Sequence, residues 1–197
     1  MRANTQPKRG DALLIVDMQR DFMPGGALPV PHADQLVPVI NRCLRYFTER
    51  TLPLFASRDW HPPGHASFAV NGGPWPVHCV QGSPGAEFVS DLLLPPGTIV
   101  VDKGASETGE GYSAFENPRF LEQLHELDVH CLWVCGVATD YCVRATVLDA
   151  LRHGFHVRLL WDGVAAVDAQ PGDGERAIEE MMQAGAAICT SEGIIHA

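Results

Sequence analysis

The sequence predicts an α/β domain: a six-stranded, mostly parallel sheet with helices on both faces. Three observations carry this. Short, continuously apolar runs recur along the chain, too short for helices and too apolar for half-exposed strands. Segments with helical spacing of apolar residues alternate with them, which is the pattern of βαβ units. Right-handed crossovers then place helices on the two sides of the sheet. With 197 residues and no internal repeat, low-complexity tract or composition break, the chain is expected to form one domain over residues 11–197.

ALLIVD (Ala12 to Asp17) predicts a central parallel strand ending in an acid. The Pro- and Gly-marked stretch MQRDFMPGGALPVPHAD predicts a loop. Asp34 is expected to cap a helix reaching about Arg50, with Leu36, Val39, Ile40, Cys43, Leu44 and Phe47 on one face. LPLFAS is the second strand. From Arg58 to Pro96 the chain is dense in Gly, Pro, His and Trp and has little periodicity, the mark of a long functional loop. Ala86 to Leu94 is expected to form a short helix within it. Thr98 to Gly104 gives the third strand, followed by the loop ASETGEGYSAFENP. Pro118 opens a helix, since its missing N–H costs nothing in the first turn. CLWVCG is the fourth strand. It leads into a helix with Thr139 as N-cap, Cys142 near its third position and Gly154 as its stop. FHVRLLWDG is the fifth strand, a helix follows from about Asp173, and AAICTS is a sixth, edge strand.

The formal net charge of -10 argues against a general nucleic-acid or anionic-membrane binder, because both need a basic face. No apolar run approaches transmembrane length. The opening MRANTQPKRG is polar and basic with no apolar core behind it, so residues 1–10 are expected to be a disordered extension and not an export signal. Reduced thiols and a cytoplasmic location follow as expectations for the six cysteines. No CxxC pair is present. Cys43, Cys131, Cys135 and Cys189 lie in apolar segments and read as packing residues.

In an open parallel sheet, ligands bind beyond the carboxyl ends of the strands. Asp17, Asp59, Lys103 and Cys142 all fall at or just after such ends. Asp162 also ends a predicted strand, but Asp-Gly is an ordinary turn signal. A cysteine in a helix's first turn meets exposed N–H groups and the positive end of the dipole, so its thiolate is expected to be favoured. A carboxylate such as Asp17 can serve as its base, with Lys103 holding the acid. The structural alternatives are a buried filler cysteine and a buried Asp–Lys ion pair.

A second cluster is Asp59-Trp60-His61, then His65 and His78. Pro62 and Pro63 forbid a helix, so this is not a helical HExxH site. In an extended chain residues 59 and 61 project to the same side, where a carboxylate and an imidazole can converge on one ion, and His78 can close the set. Two imidazoles and a carboxylate suit zinc, iron or manganese. The alternative is a loop with solvent-exposed histidines.

With both clusters in view, the chain resembles the nicotinamidase/pyrazinamidase group of the isochorismatase-like cysteine hydrolases. The carrying motifs are IVDMQRDF at 15–22, SRDWHPPGHASF at 57–68, WPVHCVQGSPGAEF at 75–88, VDKG at 101–104, YSAF at 112–115 and CGVATDYCV at 135–143. The resemblance covers nearly the whole chain after the first ten residues. It implies a three-layer α/β/α sandwich, with Asp17, Lys103 and Cys142 as the catalytic triad. It also implies Asp59, His61 and His78 as metal ligands with His65 close by, and Phe22, Trp75 and Tyr112 as aromatic walls around a pyridine ring. A cis peptide at Val137–Ala138 is implied too, with the Ala138 and Cys142 amides forming an oxyanion hole.

The activity implied is hydrolysis of nicotinamide to nicotinate and ammonia, and of pyrazinamide to pyrazinoate, in NAD salvage. It would run through a Cys142 thioester, with one divalent ion, zinc first and iron or manganese as alternatives, orienting the ring nitrogen. No organic cofactor, nucleic acid or membrane partner is implied, and homo-oligomerisation is left open. ASETGEG departs from the many relatives that carry an aspartate just before the tyrosine, which touches one pocket wall. The rivals are a sister amidohydrolase or isochorismatase activity on the same fold, and a non-catalytic metal-binding or redox-sensing protein.

Overall fold

The computed structural model describes residues 6–195. Strands β1 (Asp11–Val16), β2 (Leu54–Asp59), β3 (Ile99–Lys103), β4 (Cys131–Val137), β5 (His156–Ala165) and β6 (Ala187–Cys189) form one sheet. Their order is β3-β2-β1-β4-β5-β6, and each neighbouring pair is parallel. The helices are α1 (Val37–Glu49), α2 (Pro118–Glu126), α3 (Arg144–Arg152), α4 (Asp173–Gln183) and the short α5 (Ser191–Ile195).

The strand alternation builds two cores. Leu13 and Ile15 of β1 face α1, through Ile40, Cys43, Leu44 and Phe47, and Ile194 of α5 joins them. Ala12, Leu14 and Val16 face the other side, with Phe120 and Leu124 of α2, Val147 and Ala150 of α3, and Ala177 and Met181 of α4. This is the three-layer sandwich expected. Each fully buried Leu or Phe contributes about 1.5–3 kcal/mol through the apolar area it removes from water.

The strand order reverses direction between β1 and β4. The crossover from β1 runs through α1 to β2, and the one from β4 runs through α3 to β5 on the opposite side. A crevice therefore opens at the carboxyl ends of β1 and β4, the switch point where such sheets bind ligands. Gly136 lets the two strands close up there: it has φ 116, and a Cβ would run into the Val16 carbonyl.

Several local expectations are corrected. Asp34 does not cap α1; it lies in a 3-10 turn over Ala33–Leu36, and α1 begins at Val37 with Pro38 in its first turn. Ala86 to Leu94 is not a helix. A 3-10 turn ends at Ala86, Phe88 bridges to Gln19, and the Val89 amide donates to the Met18 carbonyl. Those bonds to the β1 loop replace the helical ladder. β5 does not stop at Asp162 but runs to Ala165, past an irregularity in the β4 pairing between Val134 and Gly136. Asp162 instead accepts hydrogen bonds from the Ser191 amide and, at 2.6 Å, from Ser191 Oγ, which ties β5 to the start of α5.

Residues 1–5 of the expected extension lie outside the described residues. Further on, the Asp11 amide donates to Lys8, and the Gly10 carbonyl accepts from His130 and Cys131. All six cysteines are free. Among the described residues no helix is long and apolar enough to cross a membrane.

Candidate active site

β1 ends at Val16, and Asp17 follows with φ 52, a left-handed conformation that aspartate tolerates better than most residues. Its amide donates to the Ser57 carbonyl at 3.1 Å, which pins it to β2. Asp59 and Lys103 end their strands as register partners across the β2–β3 pair. β4 ends with a cis peptide at Val137–Ala138, as the resemblance implied.

The turn after β4 differs from the expected helix start. Thr139–Val143 forms a π turn before α3, and the extended residue Ala138, not Thr139, stands at its N-cap. Thr139 is buried and makes no capping bond. The Tyr141 and Val143 amides both return to the Ala138 carbonyl. The Cys142 amide, between them, lies outside that pair.

Asp17, Lys103 and Cys142 are brought together and buried. Lys103 Nζ lies 2.8 Å from Asp17 Oδ2, donates to Cys142 Sγ at 3.3 Å and to the Gly111 carbonyl at 2.7 Å, and pairs with Asp59. Asp17 Oδ1 accepts from Ser57 Oγ at 2.8 Å. Asp17 Oδ2 lies against Lys103, and a carboxylate oxygen has a second lone pair for another proton. One oxygen each of Asp17 and Asp59 and the Cys142 sulfur lie within 4.8 Å of one another.

The electrostatics follow from burial. Burial pushes the Asp17 carboxyl up to about 6, against the opposing pull of Lys103. Burial also opposes the charge on Lys103, but Asp17 and Asp59 outweigh it and hold its pKa well above the usual range. The expected depression of the Cys142 pKa is overturned. Burial pushes this thiol well above its ordinary value, Lys103 opposes the rise, and the two carboxylates add to it. The helix-terminus effect assumed from sequence is outweighed by desolvation and like charge.

Asp59, His61 and His78 form the second group, with one ligand atom of each within 4.8 Å of the others. His61 Nδ1 meets the Gly104 carbonyl at 3.1 Å, and His78 Nδ1 meets the Pro76 carbonyl at 2.8 Å. A carbonyl only accepts, so these bonds assign the ring proton to Nδ1 and leave each Nε2 with a lone pair. The two Nε2 atoms lie 3.5 and 3.7 Å from Asp59 Oδ2. Ligands of a tetrahedral zinc at about 2.0–2.2 Å stand roughly 3.3–3.6 Å apart, so the donor set fits a divalent ion. Gly104, at φ 59, makes room for the His61 ring, which a Cβ there would strike. Burial opposes the charge on Asp59, but Lys103 and the imidazoles hold its carboxyl well below the usual range.

His65 stands beside this group and differs from it. Its ring lies 4.1 Å from that of His61. Its Nδ1 accepts from the Ser67 amide, so its proton is on Nε2, which is buried without a partner. Burial, with His61 next, lowers its pKa to about 4.

Both groups reach one concave cleft, the kind of place where small molecules bind. Its walls include Phe22, Trp75, Tyr112, Ala138 and Cys142, with Asp59, His61 and His78 to one side. Asp17 and Lys103 sit behind the wall, fully buried. Trp75 Nε1 donates to the Tyr112 hydroxyl at 2.9 Å, and Tyr141 packs edge-on against Trp75 at 4.9 Å.

Sequence reasoning missed Tyr141, Leu28, Val30, Glu110 and Val167 on this wall. Tyr141 was findable as the neighbour of Cys142; the others arrive from loops with no periodic signal. It also missed Gln19. That buried side chain donates to the Asp59 carbonyl and accepts from the Asp59 amide, both at 2.7 Å, and so clamps the backbone of the ligand group.

Fold and site define a parallel α/β domain with a thiol, carboxylate and ammonium at its switch point and a metal-competent group beside them. The isochorismatase domain model matches residues 11–193, and the chain belongs to that family. It is 41% identical over 200 residues to the nicotinamidase of Escherichia coli, covering 91% of this chain and 94% of that one. The pyrazinamidase of Pyrococcus horikoshii in complex with zinc superposes with a TM-score of 0.88 at 50% identity, covering 92% of this chain and 99% of the other. PnC1 of L. infantum in complex with nicotinate gives 0.87 at 37% identity, covering 96% and 97%.

Proposed function

We propose that the chain is a nicotinamidase that hydrolyses nicotinamide to nicotinate and ammonia, and pyrazinamide likewise, in NAD salvage in the cytoplasm. The observation that carries this reading is that the Cys142 thiol and the Asp59–His61–His78 group line one cleft. The likeness to a nicotinamidase, to a zinc-bound pyrazinamidase and to a nicotinate complex supports the substrate class.

A divalent ion held by Asp59, His61 and His78, zinc first and iron or manganese as alternatives, would supply a coordination position for the ring nitrogen and so orient the amide. Phe22, Trp75 and Tyr112 flank the ring. Asp17, raised to about 6, takes the thiol proton as Cys142 Sγ attacks the amide carbonyl carbon. A thiol held protonated by burial needs this base at the moment of attack. The Ala138 and Cys142 amides receive the developing oxyanion. Asp17 then passes its proton to the departing nitrogen, so that ammonia leaves and an amide anion is never expelled. Asp17 next takes a proton from water as it attacks the thioester, and the Cys142 sulfur leaves and is reprotonated. Lys103 keeps the buried carboxylate in place through both halves.

The test is ammonia release from nicotinamide, pyrazinamide and N-carbamoylsarcosine, and pyruvate release from isochorismate, each offered separately to the wild type and to Cys142→Ala. Release from the first two alone, lost in the variant, is expected. Preference for N-carbamoylsarcosine or isochorismate would place the chain in a sister activity. Silence with all four would point to a binding protein.

A further inference from the structure

Asp17 is held by one residue in two ways. Its amide donates to the Ser57 carbonyl at 3.1 Å, and Ser57 Oγ donates to its Oδ1 at 2.8 Å. Both side chains are fully buried. Ser57 lies on β2 as the register partner of Val16, the residue before Asp17. It is not part of the cleft wall.

The two carboxylate oxygens are therefore distinguished. Oδ1 is occupied by the Ser57 hydroxyl. Oδ2 lies 2.8 Å from Lys103 Nζ, the ammonium that also reaches Cys142 Sγ at 3.3 Å. A carboxylate anchored at one oxygen cannot swing about its Cβ–Cγ bond without leaving a buried hydroxyl and a buried oxygen unpaired, and each orphaned group is costly. Ser57 thus fixes the plane of the base.

We infer that Ser57 is a positioning residue for the proposed amide hydrolysis, holding Asp17 so that Oδ2 alone exchanges protons with Cys142. The inference rests on the hydrolase reading but can be tested apart from it. Ser57 touches neither the cleft nor the ligand atoms, so it should act on the rate and not on binding. A displaced general base costs on the order of a hundredfold.

The experiment compares wild type with Ser57→Ala, Ser57→Thr and Ser57→Val on nicotinamide. Thr and Val are nearly isosteric and differ by the hydroxyl alone, so this pair remains decisive if the alanine variant does not fold. Ser57→Ala and Ser57→Val should lose about ten- to a hundredfold in kcat with KM and metal content unchanged, and Ser57→Thr should stay within about threefold of wild type. A purely structural role would lower melting temperature in all three variants without this split.

A second readout needs no turnover. The rate at which iodoacetamide labels Cys142, followed by peptide mapping, should fall several-fold in Ser57→Ala and Ser57→Val and recover in Ser57→Thr. If the wild type releases no ammonia, the hydrolase reading fails and the labelling rates still decide whether Ser57 orients the base. Equal kcat and equal labelling in the Thr and Val variants would overturn the inference.

Discussion

Replacing Asp17 by asparagine removes the base and keeps the shape. The Cys142 thiol is held well above its ordinary value of 9.0, mainly by burial. Burial therefore keeps it in the thiol form near neutral pH without help. Loss of the Asp17 charge relieves part of the upward push, but burial, the larger cause, remains. The variant also loses the acid that protonates the leaving nitrogen, and each general acid–base role contributes about 10²–10⁴. We therefore expect kcat/KM for nicotinamide to fall by at least about a thousandfold. The residual rate should climb close to tenfold per pH unit between pH 7 and 9, because hydroxide must now ionise the thiol. Ammonia release across that range measures both quantities. Retention of more than a hundredth of the activity, or a flat profile, would refute Asp17 as the proton carrier.

In the wild type, the reaction needs Asp17 ionised, and its carboxyl is raised to about 6. Activity should fall as pH drops through about 6, well above the range of an ordinary carboxylate, in a kcat/KM profile. His61→Ala and His78→Ala should each lower metal content and activity together by elemental analysis, while Asp162→Asn, which contacts Ser191 away from the cleft, should leave metal content unchanged. Phe47→Ala in the α1 core should cost about 3–5 kcal/mol in denaturant unfolding, because its ring is fully buried against the sheet and Trp133.

The parts legible in sequence were those set by local pattern. The apolar runs marked all six strands, and the polar residues closing them marked Asp17, Asp59, Lys103 and Cys142, because a parallel sheet sends its strand ends to one rim. Pro118 and Asp173 placed two helix starts. What failed depended on long-range contact. The segment after Ala86 has helical composition but pairs with the β1 loop, the Val89 amide donating to Met18 and the Glu87 carbonyl accepting from Arg20. Thr139 has the chemistry of a cap, yet the chain reaches it through Ala138 in an extended conformation and enters a π turn. The sign of the Cys142 shift could not be read from a helix terminus, since it depends on two carboxylates from β1 and β2 and on depth. Ser57 and Gln19 sit in strand and loop runs that look like filler until their partners are in place.

The most direct measurement sets nicotinamide against benzamide, each before and after chelation. Benzamide keeps the amide and the ring shape but lacks the ring nitrogen that the Asp59–His61–His78 site would orient. Losing that anchor should cost on the order of a hundredfold or more in kcat/KM. The metal-loaded protein should hydrolyse nicotinamide well and benzamide poorly, and chelation should abolish the first reaction while barely changing the second. Equal hydrolysis of the two amides by the metal-loaded protein would contradict orientation through the ring nitrogen.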